Sequence, residues 1–149
     1  MRKFWQTEWF NIMFDSFTEV KANQQADEEF YQKFYIKFFQ KYYVYEDLPQ
    51  VWRDSKGELV DFIYKNIQDK QNVLSIGCGN GFIENELSKM SLNGKFTAIE
   101  PSLNASLWLK NNKNIKLLNG YFPNVLDKKD KFDFAYLSYI DYVFNDDMY

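Results

Sequence analysis

The sequence of 149 residues contains no histidine and a single cysteine, Cys78. Without histidine, the chain lacks the imidazole that most often acts as a general base, and it cannot form a Ser-His-Asp arrangement. One cysteine cannot form a disulfide within the chain, and it is too few for a cysteine-based metal site. Cys78 has no neighbouring base, so we interpret it as a small space-filling residue and not as a nucleophile.

The chain also lacks an excess of positive charge. Its formal net charge is -3, whereas nucleic-acid binding depends on clustered lysine and arginine side chains. The run that contains Lys128, Lys129 and Lys131 is interrupted by Asp127 and Asp130, a pattern typical of a solvated loop. We therefore expect no nucleic-acid partner.

Long apolar runs are missing as well. No run approaches the ~20 residues that a membrane helix needs. The first residues, MRKFWQTEWFN, have a basic tip but no apolar segment behind it, unlike a secretory signal. These absences predict a cytoplasmic protein with no membrane partner, and the length corresponds to about one domain.

Aromatic residues, by contrast, make up 20% of the chain and crowd into its first third. Their spacing predicts helices over residues 1–69, beginning with a helical pattern from Phe4 to Phe17 and a break over 23–27. A longer helix follows, in which aromatic pairs recur every four residues from Phe30 to Tyr43. Pro49 suits the first turn of another helix. We expect residues 1–69 to form an aromatic-rich helical lid that is mainly core and in part lines a substrate pocket or a subunit contact.

The second half of the chain changes period. Helical stretches are predicted from Phe82 to Met90 and around Asn104 to Asn111. The strand-like runs are Asn72–Ile76, Lys95–Ile99, Ile115–Leu118 and Phe132–Leu137. This alternation predicts an α/β fold with βαβ units and about four parallel strands in residues 70–149. We expect both parts of the chain to form one compact body.

The most informative segment is VLSIGCGNGFIENEL, in which an apolar strand breaks into Gly77, Gly79 and Gly81 before a helix begins. Such a turn brings bare backbone close to a nucleotide-like ligand, although glycine turns also join strands to helices without any ligand. The segment lacks the Gly-Lys-Ser/Thr ending of a triphosphate loop, and Phe82 stands where the dinucleotide fingerprint has its third glycine.

The G-x-G-x-G spacing and the strand before it resemble the first motif of class I S-adenosylmethionine-dependent methyltransferases. The next strand ends at Glu100, roughly 20 positions later, where an acidic side chain can accept hydrogen bonds from both ribose hydroxyls. The alternative is that Glu100 is simply a surface carboxylate. Asn119-Gly120-Tyr121 falls where that family contacts adenine, and the segment from Phe132 to Phe144 resembles the one that closes over the cofactor. The resemblance covers about Gly57 to Phe144.

The resemblance implies S-adenosyl-L-methionine as the cofactor, no metal, and a Rossmann-like sheet. The residues that it assigns to cofactor binding are Ser75, Gly77, Cys78, Gly79, Gly81, Glu100, Pro101, Gly120, Tyr121 and Ser138. The sequence departs from the family at two points. Ser75 stands where the family often has an acid that orients the methionine ammonium, and the chain reaches only about the fourth of seven strands.

The implied activity is O- or N-methylation of a small-molecule or sugar-like acceptor. Asp141 is the candidate catalytic base, with Tyr139 and Tyr142 as weaker candidates. Ser138 and Asp141 can also be interpreted as caps of a following helix, which is the usual role of a polar residue just past an apolar strand.

Two alternatives stay open. One is a truncated or degenerate methyltransferase-fold module that acts in cofactor binding or protein interaction without catalysis. The apolar edge of its fourth strand would then be covered by the N-terminal helices, by a second copy in a homo-oligomer, or by a missing C-terminal part. The other is a dinucleotide-dependent oxidoreductase, which Phe82 disfavours.

Overall fold

The computed structural model of the chain describes residues 7–19 and 27–138. These residues belong to two compact units, one within residues 1–49 and the other over Gln50–Ser138. The expected boundary between residues 69 and 70 falls two residues after the end, at Ile67, of a helix that lies within the second unit. Within the described ranges, no helix combines the length and the apolar character needed to cross a membrane.

The first unit begins with a hairpin, so the helix predicted over residues 4–17 is wrong for the part that the structure describes. Strands β1 (Glu8–Trp9) and β2 (Ile12–Met13) pair antiparallel, with Trp9 opposite Ile12. Phe10 and Asn11 between them have φ values of 52° and 54°, the left-handed geometry of a two-residue type I′ turn. A short 3₁₀ turn over Phe14–Ser16 follows.

Tertiary contacts explain why the hairpin replaces the helix. The carbonyl oxygen of Phe10 accepts hydrogen bonds from the Tyr42 hydroxyl at 2.8 Å and from the Lys41 ammonium at 3.3 Å. The Phe10 ring also lies edge-on to Phe38, with 5.1 Å between the ring centroids. These contacts support a backbone conformation that is uncommon for a phenylalanine and that local spacing cannot reveal.

The longer aromatic helix forms as predicted. Helix α1 spans Glu28–Lys41, and the Asp27 carboxylate caps it by accepting a 2.8 Å hydrogen bond from the Phe30 amide. Phe30, Phe34 and Phe38 recur every fourth residue and are almost fully buried. The Trp9 ring lies edge-on to Phe30 and Phe34. These three phenylalanines of α1 therefore form the core of the first unit.

The second unit is an α/β layer. Helix α2 (Gln50–Ile67) follows Pro49 and leads into β3 (Asn72–Ile76). Helix α3 spans Phe82–Ser88, and the remaining strands are β4 (Lys95–Glu100), β5 (Ile115–Asn119) and β6 (Phe134–Leu137).

The sheet is parallel throughout, with the order β5-β4-β3-β6. Counted from β3, this is the order 3-2-1-4 with which the Rossmann fold begins, so the prediction of a partial Rossmann-like sheet of about four strands is confirmed. The two central strands are almost continuously buried, as expected for parallel strands with covered faces.

The connection between β4 and β5 contains no α-helix, and the helix expected around Asn104 to Asn111 is wrong. The segment holds turns and a short 3₁₀ helix over Leu107–Leu109. The Ser102 hydroxyl accepts a hydrogen bond from the Ala105 amide at 3.2 Å, and Oδ1 of the Asn112 side chain accepts one from the backbone amide of Asn114 at 3.0 Å. Serine and asparagine side chains compete with helical hydrogen bonds in this way.

Candidate functional site

The glycine turn lies at the carboxyl end of β3, next to the carboxyl end of β4. The amides of Gly77 and Cys78 both donate to the Ile99 carbonyl, at 2.8 and 3.1 Å. Gly77, Gly79 and Gly81 have φ values of 73°, 56° and 73°. Residues other than glycine rarely adopt this left-handed conformation. The turn is therefore a fixed structure that depends on all three glycines.

Glu100 connects this turn to the end of β4. Its Oε2 accepts a 2.8 Å hydrogen bond from the Gly79 amide, and its Oε1 accepts a 2.9 Å hydrogen bond from the Ser102 amide. Glu100 is 9% exposed. Burial raises the pKa of Glu100, and the two amides act in the opposite direction because they stabilise the carboxylate. The turn after β3 and the turn after β4 thus share one carboxylate.

Gly81 has a packing role that its motif position does not reveal. A Cβ atom built on Gly81 would lie 2.2 Å from Cγ of Leu109, and Leu109 is itself buried. The side chain of Leu109 therefore fills the space over this glycine. The role of Gly81 in cofactor binding stays a prediction.

A buried polar cluster lies beneath the turn. The Ser75 hydroxyl donates to Oε1 of Glu84 at 2.6 Å, and the Tyr136 hydroxyl donates to the same oxygen at 2.8 Å. Glu84 is 1% exposed, and among the described residues its Oε2 has no hydrogen-bond partner. Burial raises the pKa of Glu84 despite the two hydroxyl donors, and the nearby Glu100 charge raises it further.

Sequence reasoning missed Glu84, although one signal was present. Ser75 is a polar residue inside an apolar strand, and a buried hydroxyl requires a hydrogen-bond partner. The acid that the family often carries at the Ser75 position is absent from β3 here, and a carboxyl group from α3 contacts the serine instead. Cys78 is buried nearby, and burial together with the Glu84 and Glu100 charges raises the pKa of its thiol well above the usual value.

The remaining predicted site residues lie at the same carboxyl edge of the sheet. The Gly120 amide donates to the Glu100 carbonyl at 3.3 Å, and Pro101 directly follows Glu100. Tyr121 follows β5 and is exposed. Ser138 follows β6, whose Leu137 pairs with Ile76 immediately before the glycine turn. Parallel strands thus bring these residues to one edge.

The proposed catalytic residue Asp141 and the alternatives Tyr139 and Tyr142 lie outside the described residues. Within residues 7–19 and 27–138, no group of three histidine, cysteine, aspartate or glutamate side chains could hold a metal ion.

Comparisons with known proteins give distant similarities to solved structures. No protein-family model and no curated protein matches the chain. The solved structures that resemble it include a coclaurine N-methyltransferase bound to N-methylheliamine and SAH, and the plantazolicin methyltransferase BpumL in complex with a pentazolic desmethylPZN analog and SAH. The first has 18% identity over 55% of this chain, with a TM-score of 0.47. The second has 18% identity over 73% of this chain, with a TM-score of 0.48.

The chain spans 26% of the length of the first solved protein and 41% of the second. At this distance the similarities assign no activity to the chain. Its fold is defined by its own strand order, and its candidate site by its own contacts.

Gly81→Ala is expected to destabilise the chain by about 3 kcal/mol. The new methyl group would clash with Leu109, and the alanine would have to adopt a left-handed backbone conformation. In a Leu109→Ala background the same change should cost only about 1 kcal/mol, the part due to the backbone. Urea denaturation of the four chains measures this coupling. As a control, Gly57→Ala in α2, where an added Cβ contacts nothing, should stabilise the chain by about 0.5–1 kcal/mol. Equal costs in both Leu109 backgrounds would contradict the packing role.

Glu84→Gln is expected to weaken the pH dependence of stability. Because the pKa of Glu84 is raised above its ordinary value of 4.5 in the folded chain, the folded state retains a proton that the unfolded state releases. The resulting stabilisation is complete below pH 4.5 and is lost as the pH rises through the raised pKa. Denaturation between pH 4 and 8 should show a flatter profile for Glu84→Gln than for the parent chain. Exposed Glu58→Gln should keep the parent profile, and a parent-like profile for Glu84→Gln would refute the assignment.

Proposed function

We propose that this chain is the cofactor-binding part of an S-adenosylmethionine-dependent methyltransferase. The observation that carries the proposal is the hydrogen bond from the Gly79 amide to Glu100. It holds a glycine turn and an acidic side chain together at the carboxyl edge of a Rossmann-like sheet, where ligands of open α/β sheets bind.

The hydrogen-bond acceptors of Glu100 at this edge fit a ribose. A carboxylate has about four lone-pair sites, and the Gly79 and Ser102 amides occupy one on each oxygen of Glu100. Among the described residues no other donor is seen on these oxygens, which leaves one site on each and suits the two neighbouring hydroxyls of a ribose ring. The fixed amide contacts also hold the carboxylate in one orientation before the ligand arrives.

The surroundings fit the other parts of the same cofactor. Leu103, Tyr121 and Leu137 are large apolar side chains at the carboxyl edge, and they are 58%, 56% and 50% exposed. Such side chains offer apolar and aromatic surface to a base such as adenine. The left-handed glycine turn leaves backbone without side chains for the methionine part, as the family resemblance implies.

When bound, S-adenosylmethionine would supply an activated methyl group with a sulfonium leaving group. The chain's own residues would then act mainly by position, since holding reactants in line lowers the entropic part of the barrier. We infer a small-molecule or sugar-like acceptor that is methylated on oxygen or nitrogen. Asp141 is proposed as the base that removes a proton from a hydroxyl acceptor, with the aromatic N-terminal region as the lid.

A second candidate is a methyltransferase-like module that binds the cofactor or a protein partner without catalysis. Strand β6 favours this candidate because it lies at an edge of the described sheet and leaves Leu137 half exposed. An apolar edge strand is a natural pairing site for another chain.

Calorimetric titration with S-adenosylhomocysteine, and in parallel with NAD, tests the proposal. We expect the first ligand alone to bind. Glu100→Ala should weaken its binding by about 100-fold or more, because two hydrogen bonds to a charged group are lost.

The matched control is Glu58→Ala, an exposed glutamate on α2, which should leave the affinity unchanged. Circular dichroism and thermal unfolding of Glu100→Ala are needed alongside, since this change also leaves the Gly79 and Ser102 amides without their acceptor. Binding of NAD alone, or S-adenosylhomocysteine binding that is insensitive to Glu100→Ala in a folded variant, would refute the proposal. Binding of neither ligand would favour a protein-interaction module.

A further inference from the structure

A large cavity lies at the amino-terminal edge of the sheet, the edge opposite the glycine turn. Its volume is about 930 Å³. The charged side chains that line it are Lys95, Lys113, Lys116, Lys129, Lys131 and Asp130. Five positive charges and one negative charge give the lining a net charge of +4, whereas the whole chain carries -3.

The five lysines come from three separate segments of the sequence. Lys95 is the first residue of β4, and Lys116 lies in β5 opposite Thr97. Lys113 precedes β5, and the other two lie in the loop before β6. A local run of lysines is usually a solvated face, but here the parallel topology gathers lysines from distant positions around one cavity.

The nearby carboxylates are engaged elsewhere. Oδ2 of Asp130 accepts a 3.0 Å hydrogen bond from the Asp127 amide. Oδ2 of Asp133 accepts hydrogen bonds from the Gln71 and Asn72 amides at 3.0 and 2.9 Å, which attach the lysine loop to the start of β3. Among the residues that the structure describes, none of the five cavity lysines forms an ion pair.

We propose that this cavity binds a small organic anion that carries two or more phosphate groups. The lysine ammonium is a compact charge that binds phosphate well. Five of them without a carboxylate partner in the described part of the chain call for a ligand with several negative charges. Neighbouring strands lie about 4.8 Å apart, so the edge from β5 to β6 extends over roughly 14 Å and separates the lysines accordingly. One phosphate group could not contact lysines at both ends.

The volume also argues for a small molecule. Ligand pockets range over about 300–1,000 Å³, and this cavity falls inside that range. Asn72, Ser91 and Asn114 add amide and hydroxyl groups to the lining, and Phe132 adds apolar surface. Such a mixture suits an organic group that bears phosphates. The negative charge of the whole chain disfavours the long, uniformly charged backbone of a nucleic acid.

Titration of the full chain with tripolyphosphate, compared with inorganic phosphate, tests the proposal. Tripolyphosphate should bind more tightly than phosphate. Its affinity should fall as the salt concentration rises from 50 to 200 mM, because salt screens the interaction between exposed charges. The double variant Lys95→Gln/Lys116→Gln should bind tripolyphosphate about tenfold more weakly. The matched control is Lys65→Gln/Lys110→Gln, which makes the same change of charge at exposed positions outside the cavity and should keep the parent affinity.

Four results would overturn the proposal. They are no binding of tripolyphosphate to the parent chain, equal affinity for phosphate and tripolyphosphate, equal losses in both double variants, and tighter binding of a single-stranded oligonucleotide than of tripolyphosphate. Because the lysines lie at the opposite edge from Glu100, S-adenosylhomocysteine binding has no part in the readout, and the two proposals can fail independently.

Discussion

The arrangement of the second unit depends on one carboxylate. Glu100 accepts the Gly79 amide on one oxygen and the Ser102 amide on the other, so it connects the turns that follow β3 and β4. The glycine turn in turn begins α3, and the turn after β4 leads to the segment that places Leu109 over Gly81. The backbone carbonyl of Glu100 accepts hydrogen bonds from the Asn119 side chain and the Gly120 amide, which adds the end of β5 to the same point.

The two edges of the sheet have different electrostatic characters. The carboxyl edge holds two buried acids, Glu84 and Glu100, whose pKa values are both raised by burial. The amino edge holds five exposed lysines around a cavity. A net charge of -3 averages over this division. The net charge therefore describes the chain as a whole, but it does not reveal that the carboxyl edge holds acids and the amino edge holds lysines.

The sequence predicts those parts of the fold that local patterns determine. Strand β3 and the start of α3 were predicted correctly because an apolar run and three glycines lie next to each other. The hairpin at Phe10 and Asn11 was missed because its left-handed backbone depends on Lys41 and Tyr42, about thirty residues away. The contact between Ser75 and Glu84 and the lysine cavity were missed for the same reason. Each brings together side chains from different elements, and no spacing along one element encodes it.

The burial of Cys78 has a practical consequence for the glycine turn. The chain has one thiol, which lies inside the turn, and burial together with the Glu84 and Glu100 charges raises its pKa. Reagents that modify cysteine attack the exposed thiolate, so modification requires the turn to open first. The rate of modification at this single position therefore reports how often the turn opens, without any introduced label.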